Sequence, residues 1–226
     1  MNFHTWATPC RGDFYIMYYD EDKYDINFLE DIMGKSLSEM SLEELWELFP
    51  IILKEHNPSY KDWYLIEKEA IVNAIGRNNI KRISHIGSSA VEGLIAKPTV
   101  DILLEVDLNC DIEQIKLNLI ESGWVLMTFS NEPDLKMFFN KGYTPEGFAE
   151  KVFHLHVRYI GNWNEPYFRD YLITHKEVAD EYGKLKMRLK EQYEHNRDGY
   201  TDAKTEFINK YSEIARIEFR NRYMPE

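Results

Sequence analysis

The chain has 226 residues, of which 44% are hydrophobic and 14% aromatic, and this composition indicates a globular protein and excludes a disordered one. A net charge of -12 argues against broad electrostatic binding of nucleic acid or anionic lipid, although a local basic pocket is compatible with it. The two cysteines, Cys10 and Cys110, are far apart and predict neither a disulfide framework nor a metal-type pair. The N-terminus lacks the features of a signal peptide, and no apolar run approaches the roughly 20 residues that span a bilayer, so we expect a cytoplasmic protein.

The first part of the chain divides into an extension and the beginning of a domain. Residues 1–38 are rich in aromatic and acidic side chains that alternate poorly, and we interpret them as an N-terminal extension of unknown role with one strand and one short helix. The predicted domain covers residues 39–226. Ser41 and Glu44 have the spacing of a capping box, which predicts that the first helix of the domain begins there.

The middle of the chain alternates between helices and strands. Asn57 is the expected cap of a second helix, which ends near Gly76. Two central strands are predicted over residues 80–86 and 99–106, and the nearly continuous apolar run of the second indicates burial on both faces. Asp111 is the expected cap of another helix. Three further strands are predicted at roughly 124–129, 135–140 and 152–159.

The C-terminal part of the domain is predicted to be helical over about residues 164–220. Thr174 with Glu177 predicts a capping box between two helices, and residues 196–199 interrupt the helical pattern. The last helix is expected to begin at Thr201. The fold class is therefore α+β, with a small mixed β-sheet flanked by helices and a helical C-terminal segment.

A Gly-Ser turn lies between the two central strands, and the second of these strands carries a carboxylate. Gly87 and Ser88 form a turn with little side-chain bulk, which can bring backbone N–H groups close to a phosphate. Asp101 on the next strand can hold the hard cation that accompanies phosphates. In two-metal catalysis a second carboxylate two residues along the strand would face the same way, but Leu103 occupies that position. Glu105 lies further along the same face and is the remaining candidate metal ligand.

Several other residues are candidates for phosphate contacts or for proton transfer. His154 and His156 alternate on a predicted strand, so both imidazoles face one side and can serve as acid and base or bind a metal or a phosphate. The candidates for phosphate binding are Gly87, Ser88, Ser89, Lys97, Arg158, Arg169 and Lys204. Structural roles are the alternatives: a salt bridge of Asp101, an ion pair of Arg169 with Asp170, and a solvated helix face for Lys204. The basic residues over 184–190 alternate with apolar ones, and we interpret them as surface.

The motifs resemble those of the GrpB family, which belongs to the nucleotidyltransferase superfamily. The most recognisable stretch is HIGSSAVEGL at 85–94, followed by Ala96-Lys97-Pro98 leading into Asp101, and by HLHV at 154–157. Residues 168–172 and 200–208 resemble the C-terminal motifs of the family, and the resemblance covers about residues 39–220. Glu92 stands where the family usually has proline. The resemblance implies a nucleotidyltransferase-like fold and a predicted activity that uses Mg²⁺ or Mn²⁺.

The resulting hypothesis is a transferase that binds a nucleoside triphosphate with a divalent cation and moves a nucleotidyl group to a small molecule or a protein. Asp101, His154 and His156 would be catalytic, with Asp101 and Glu105 on the metal. Leu103 motivates the alternative, a catalytically inactive nucleotide- or phosphate-binding module of the same fold. A third interpretation uses the histidine pair for metal-dependent hydrolysis of a phosphoester. No nucleic-acid or membrane partner is expected, and the oligomeric state is left open.

Overall fold

A computed structural model describes residues 9–10, 13–14 and 36–225 of the chain. In the N-terminal extension, two short strands, β1 (Pro9–Cys10) and β2 (Asp13–Phe14), pair antiparallel, and a 3₁₀-helix spans Leu37–Glu39. The remainder of the predicted extension lies outside the described residues.

The centre of the domain is a five-stranded mixed sheet with the strand order β3-β4-β7-β6-β5. Strands β4 and β7 are parallel, and the other neighbouring pairs are antiparallel. Strands β3 and β4 have the predicted bounds, whereas β6 and β7 are longer than predicted because they continue to a tight hairpin. The strands are β3 (Ile80–Ile86), β4 (Thr99–Val106), β5 (Val125–Ser130), β6 (Lys136–Thr144) and β7 (Gly147–Tyr159). The predicted α+β class is confirmed.

Within residues 36–225, three α-helices precede β5 and four follow β7. The predicted capping box is present, because Ser41 N donates to Glu44 Oε2 at 2.6 Å and Glu44 N donates to Ser41 Oγ at 3.2 Å. The helices are α1 (Leu42–Leu48), α2 (Ser59–Ile75), α3 (Ile112–Glu121), α4 (Asn164–Thr174), α5 (Lys176–Tyr193), α6 (Arg197–Asp202) and α7 (Thr205–Glu218). Within the described residues, none of them has both the length and the apolar character needed to cross a membrane.

Two predicted helix starts in the C-terminal part were wrong. Thr174 is the last residue of α4, and its hydroxyl donates back to the Asp170 carbonyl at 3.0 Å instead of capping α5. The last helix begins at Thr205 instead of Thr201, because Thr201 belongs to the separate short helix α6. Asn196 caps α6 by accepting a hydrogen bond from Gly199 N at 2.8 Å. The segment that sequence reasoning treated as a break is therefore a helical turn with its own cap.

The two faces of the sheet differ in chemistry. One face packs against α2 and α3 in an apolar core, in which Ile71 and Leu119 meet sheet residues such as Ile102 and Leu155. The other face presents polar side chains, because Asp101 and His154 are direct neighbours in the β4–β7 register. Residues of α5 and α6 reach the turns and side chains on this polar side.

Candidate functional site

The Gly-Ser turn and Asp101 are in direct contact. Gly87 follows β3 with φ of 71°, in the left-handed region that favours glycine, and a short 3₁₀-helix over Ser88–Ala90 follows it. A Cβ atom at position 87 would collide with the Asp101 carboxylate, so the missing side chain is also what allows the two to approach. Ser88 and Ser89 open the 3₁₀-helix, so their backbone N–H groups have no partner inside it.

Asp101 begins a chain of hydrogen bonds that crosses the polar face. His154 Nδ1 lies 3.0 Å from Asp101 Oδ1, and Tyr143 Oη lies 2.8 Å from His154 Nε2. Because a carboxylate only accepts, Nδ1 carries the hydrogen, and Nε2 of the neutral imidazole then accepts from the tyrosine hydroxyl. Arg197 Nη2 donates to Tyr143 Oη at 2.9 Å. His154 is therefore oriented with Nδ1 towards Asp101, and its acceptor atom Nε2 is engaged by Tyr143.

The charge of Asp101 is stabilised by its surroundings. Burial raises the pKa of Asp101, but the hydrogen bond and charge of His154, together with the charges of His156 and Lys97, bring it below its ordinary value. The side chain is 28% exposed, so it remains accessible from outside. It is an ionised carboxylate at neutral pH with one edge towards solvent.

Three lysines surround this carboxylate. The ammonium groups of Lys97 and Lys204 lie 4.8 Å and 4.2 Å from the centre of the same Tyr200 ring. Lys186 Nζ donates to Ser88 Oγ at 2.9 Å and to the Ile95 carbonyl, so α5 is tied to the Gly-Ser turn. Lys97 lies in the loop before β4, Lys186 on α5 and Lys204 directly before α7, so the three lysines come from three separate segments of the chain.

The electrostatics of the lysines show that they form one cluster with Arg197. Burial, together with the charges of Arg197 and Lys204, lowers the pKa of Lys97 to about 7. Burial and the charge of Lys204 lower the pKa of Lys186 to about 7, and burial with the charge of Arg197 lowers the pKa of Lys204 to about 8. Asp101 opposes the shift in all three lysines. We refer to Lys97, Lys186, Lys204 and Arg197 as the basic cluster.

A small cavity adjoins the basic cluster. Its volume is about 10 Å³, which is the space of one water molecule. A larger ligand must displace the flexible ends of the lining lysine and arginine side chains. The cavity is lined by Pro50, Ile52, Lys97, Pro98, Thr99, Tyr143, Phe148 and Arg197.

His156 and Asn140 lie next to this arrangement on the same face. His156 is beside Leu103 in the register and packs against the Phe138 ring at 4.9 Å between centroids; burial lowers its pKa. Asn140 is opposite His154 in the β6–β7 register. Among the described residues its buried Oδ1 atom has no hydrogen-bond partner, so an unused acceptor lies on the site face.

Glu105, predicted as a metal ligand, is part of a separate ion pair. Arg82 Nε and Nη2 bind its two carboxylate oxygens, the second at 2.6 Å, and Gly161 N donates to it at 3.2 Å. The Glu105 side chain is 0% exposed. It lies four positions along β4 from Asp101, about 13 Å by strand rise, so the structure does not bring the two carboxylates together.

Two predicted phosphate-binding arginines are also engaged elsewhere. Arg158 Nη2 lies 3.3 Å from Glu165 Oε1. Arg169 binds Asp170 Oδ1 at 2.6 Å and donates to the His85 carbonyl at 2.8 Å, which is the ion pair named as its alternative. These contacts join α4 to the sheet rather than line the site.

The serines of the turn have partners as well. The Ser88 hydroxyl accepts from Lys186, and Ser89, which is 2% exposed, pairs with His85 Nε2 at 3.1 Å. What these residues offer a ligand is therefore their backbone.

Sequence reasoning missed three residues of the site: Lys186, Arg197 and Tyr143. The alternation of basic and apolar residues over 184–190 predicts that Lys186 lies at the surface, but it is 3% exposed. Helical spacing could have found it, because it lies four residues after the buried Tyr182 and three before the buried Leu189. No local signal marks Tyr143, which reaches His154 through an irregularity in the β6–β7 pairing around Gly142.

The residues around Asp101 do not fit a two-metal centre. The second carboxylate position is Leu103, which is 0% exposed, and Glu105 is occupied by Arg82. Among the described residues, no three His, Cys, Asp or Glu side chains are close enough to share a metal ion. The pair of metal clamps that the family resemblance implies lacks its protein ligands here.

Comparison with known proteins gives consistent matches. The family model described as GrpB protein matches residues 50–213. The Glutamate-rich protein GrpB of Alkalihalophilus pseudofirmus is 33% identical over 162 residues, which are 70% of this chain and 92% of that protein. The UPF0157 protein PA4798 of Pseudomonas aeruginosa is 33% identical over 153 residues, which are 67% of this chain and 62% of that protein. The crystal structure of the conserved protein GrpB from Enterococcus faecalis superposes with a TM-score of 0.60 at 24% identity, covering 74% of this chain and 99% of that one, a likeness of fold.

Proposed function

The chain belongs to the GrpB family, and we propose that it binds a nucleoside triphosphate between the Gly-Ser turn and the basic cluster. The observation that carries this proposal is the basic cluster itself. Three lysines and an arginine converge on one turn and one carboxylate in a protein whose net charge is -12. A phosphate chain is the ligand chemistry that such a set of donors matches.

The physical argument is that the cluster is electrostatically unsatisfied. Burial disfavours charged ammonium groups, and their mutual repulsion adds to that cost. One carboxylate, Asp101, opposes the repulsion but does not balance it. An anionic ligand would restore the protonated form of the lysines and would accept their hydrogen bonds. The backbone N–H groups of Ser88 and Ser89 can supply further donors to a phosphate.

Equilibrium binding of ATP to the purified protein tests this proposal. Lys97→Gln and Lys204→Gln should each weaken ATP binding at least tenfold, because a hydrogen bond to a charged group contributes about 1.5–3 kcal/mol. Lys210→Gln is the matched control, since Lys210 is an exposed lysine of α7 that also lies against a tyrosine ring. Absence of ATP binding by the wild-type protein, or equal affinity in all variants, would refute the proposal.

A second candidate function is the transfer of a nucleotidyl group to a small molecule or a protein. The specific observation that favours it is the Asp101–His154 pair, which presents Nε2 as a general base. An acceptor hydroxyl would take the place of Tyr143 at Nε2 and give up its proton as its oxygen attacks the α-phosphate, with pyrophosphate leaving.

Labelled nucleotide separates transfer from binding alone. Wild-type protein and His154→Asn are incubated with α-labelled ATP, Mg²⁺ or Mn²⁺, and cell lysate. Label transfer or pyrophosphate release that is lost in His154→Asn supports the transferase. ATP binding without turnover in the wild type leaves a nucleotide-binding module of the same fold.

A further inference from the structure

The charges at the site suggest how phosphate is neutralised. In the described part of the chain, the basic cluster contributes four cations and Asp101 is the carboxylate that acts on its three lysines, a formal excess of three positive charges. A nucleoside triphosphate carries about four negative charges near neutral pH, and a bound Mg²⁺ cancels about two of them. The basic cluster can therefore offset most of the charge of the metal-free anion without a divalent cation.

The side chains available as metal ligands also favour binding without a divalent cation. Leu103 replaces the second carboxylate and is fully buried, and Glu105 accepts three hydrogen bonds within its own ion pair. Asp101 is the carboxylate that remains, and one of its oxygens already binds His154. A divalent cation there would also have to approach the basic cluster, whose like charge repels it.

We propose that the basic cluster takes the place of the divalent cation, so that the protein binds its nucleotide as the metal-free polyphosphate. This inference rests on the proposed nucleotide binding and specifies the form of the ligand. Lys97, Lys204 and Arg197 contact the phosphates. Lys186 sets the position of the turn through Ser88. Asp101 orients His154 and limits the repulsion among the lysines.

The charge of Asp101 makes the expected effect of Asp101→Asn on ATP affinity opposite for a metal site and for direct binding by the lysines. If Asp101 held a metal, its replacement by asparagine would abolish metal-dependent binding. If the lysines bind the phosphates directly, Asp101 repels the ligand, and Asp101→Asn removes that repulsion while keeping the shape of the side chain. At about pH 6, where the lysines are protonated, we expect Asp101→Asn to bind ATP roughly fivefold more tightly than the wild type in the absence of metal.

The test is isothermal titration of the full-length protein with ATP, once in EDTA and once in excess Mg²⁺, at matched ionic strength. Binding in EDTA that is as tight as in Mg²⁺, or tighter, supports the proposal. Tighter binding in Mg²⁺ overturns it and leaves the proposed nucleotide binding intact. Absence of binding under both conditions overturns the proposed function and this inference together.

The Asp101→Asn variant provides a second arm. Its fold is first checked by thermal denaturation; if it does not fold, the comparison of the wild type in EDTA and Mg²⁺ decides alone. Tighter ATP binding by the folded variant in EDTA supports the proposal. Weaker binding than the wild type shows that Asp101 does not repel the ligand and overturns the proposal. Inorganic tripolyphosphate, titrated in parallel in EDTA, should compete with ATP, because the cluster contacts the phosphates.

Discussion

Replacing Arg82 by leucine is expected to destabilise the protein severely, because Arg82 is the charged partner of a fully buried carboxylate. Glu105 is 0% exposed and receives two hydrogen bonds from Arg82 and one from Gly161 N. Arg82 also donates to the Gly161 carbonyl at 2.8 Å and to the Tyr223 carbonyl, so it joins β3 to the loop after β7 and to the C-terminus. Its loss leaves Glu105 with one backbone donor.

The magnitude follows from that arrangement. Removing one partner of a buried ion pair costs about 3–5 kcal/mol, because the other charge stays buried without compensation. For a protein of 226 residues this corresponds to a decrease of about 6–20 °C in the unfolding midpoint. Replacing both Arg82 and Glu105 by leucine removes the uncompensated charge, so the double variant should recover most of the lost stability.

Urea denaturation followed by circular dichroism measures these differences. The matched control is Lys81→Ala. Lys81, on β3, pairs with Asp107 directly after β4 but is 47% exposed, and such pairs contribute about 0–1 kcal/mol. The reasoning fails if Arg82→Leu costs less than about 1 kcal/mol, or if the double variant is as unstable as the single one. ATP affinity of the double variant should equal that of the wild type, because Glu105 does not reach the site.

Three further predictions concern the site. Gly87→Ala should be less stable and bind ATP more weakly than Gly93→Ala. Both glycines have positive φ, 71° and 77°, but an added Cβ would meet the Asp101 carboxylate only at position 87. Equal melting temperatures of the two variants would contradict this. ATP affinity should fall between pH 6.5 and 9, because the three lysines of the folded protein have pKa values of about 7 to 8 and lose their protons over this range. The unfolded state, with lysine pKa values of 10.5, binds more protons, so the stability of the unliganded protein should rise over about pH 7–10. Flat pH profiles of affinity and stability would contradict this. Leu103→Asp should be less stable than the wild type in EDTA and regain stability in Mg²⁺, whereas a wild-type midpoint that itself rises with Mg²⁺ would show a metal site without it.

The parts of the fold that local sequence determines were predicted with their bounds. Strand β3 ends directly before Gly87, and β4 is a mostly apolar run that begins directly after Pro98. The Ser41 capping box specifies the start of α1 with two side-chain hydrogen bonds. The family motifs also identified the turn and Asp101 as neighbours, and the structure places them in contact. In each case the signal lies within a few residues of the feature that it predicts.

Contacts between residues that are far apart in the sequence could not be predicted from local patterns. Asp101 and His154 meet because β4 and β7 pair in parallel, although 53 residues separate them in the chain. Glu105 appeared available for a metal because nothing near it in sequence reveals Arg82, 23 residues earlier. Lys186 is a different case, because its helical spacing was present in the sequence and the alternation of basic and apolar residues obscured it.

The contrast between the whole protein and its site limits the kind of anion that can bind. The net charge of -12 repels polyanions at long range, but salt screens that repulsion beyond about 8 Å at physiological ionic strength. The basic cluster acts within hydrogen-bond distance, so a small ligand that fits among Lys97, Lys204 and Arg197 gains its attraction. A nucleic acid would carry most of its phosphates outside the cluster, against a protein whose net charge is -12. Charge on both length scales therefore favours a compact polyphosphate as the ligand.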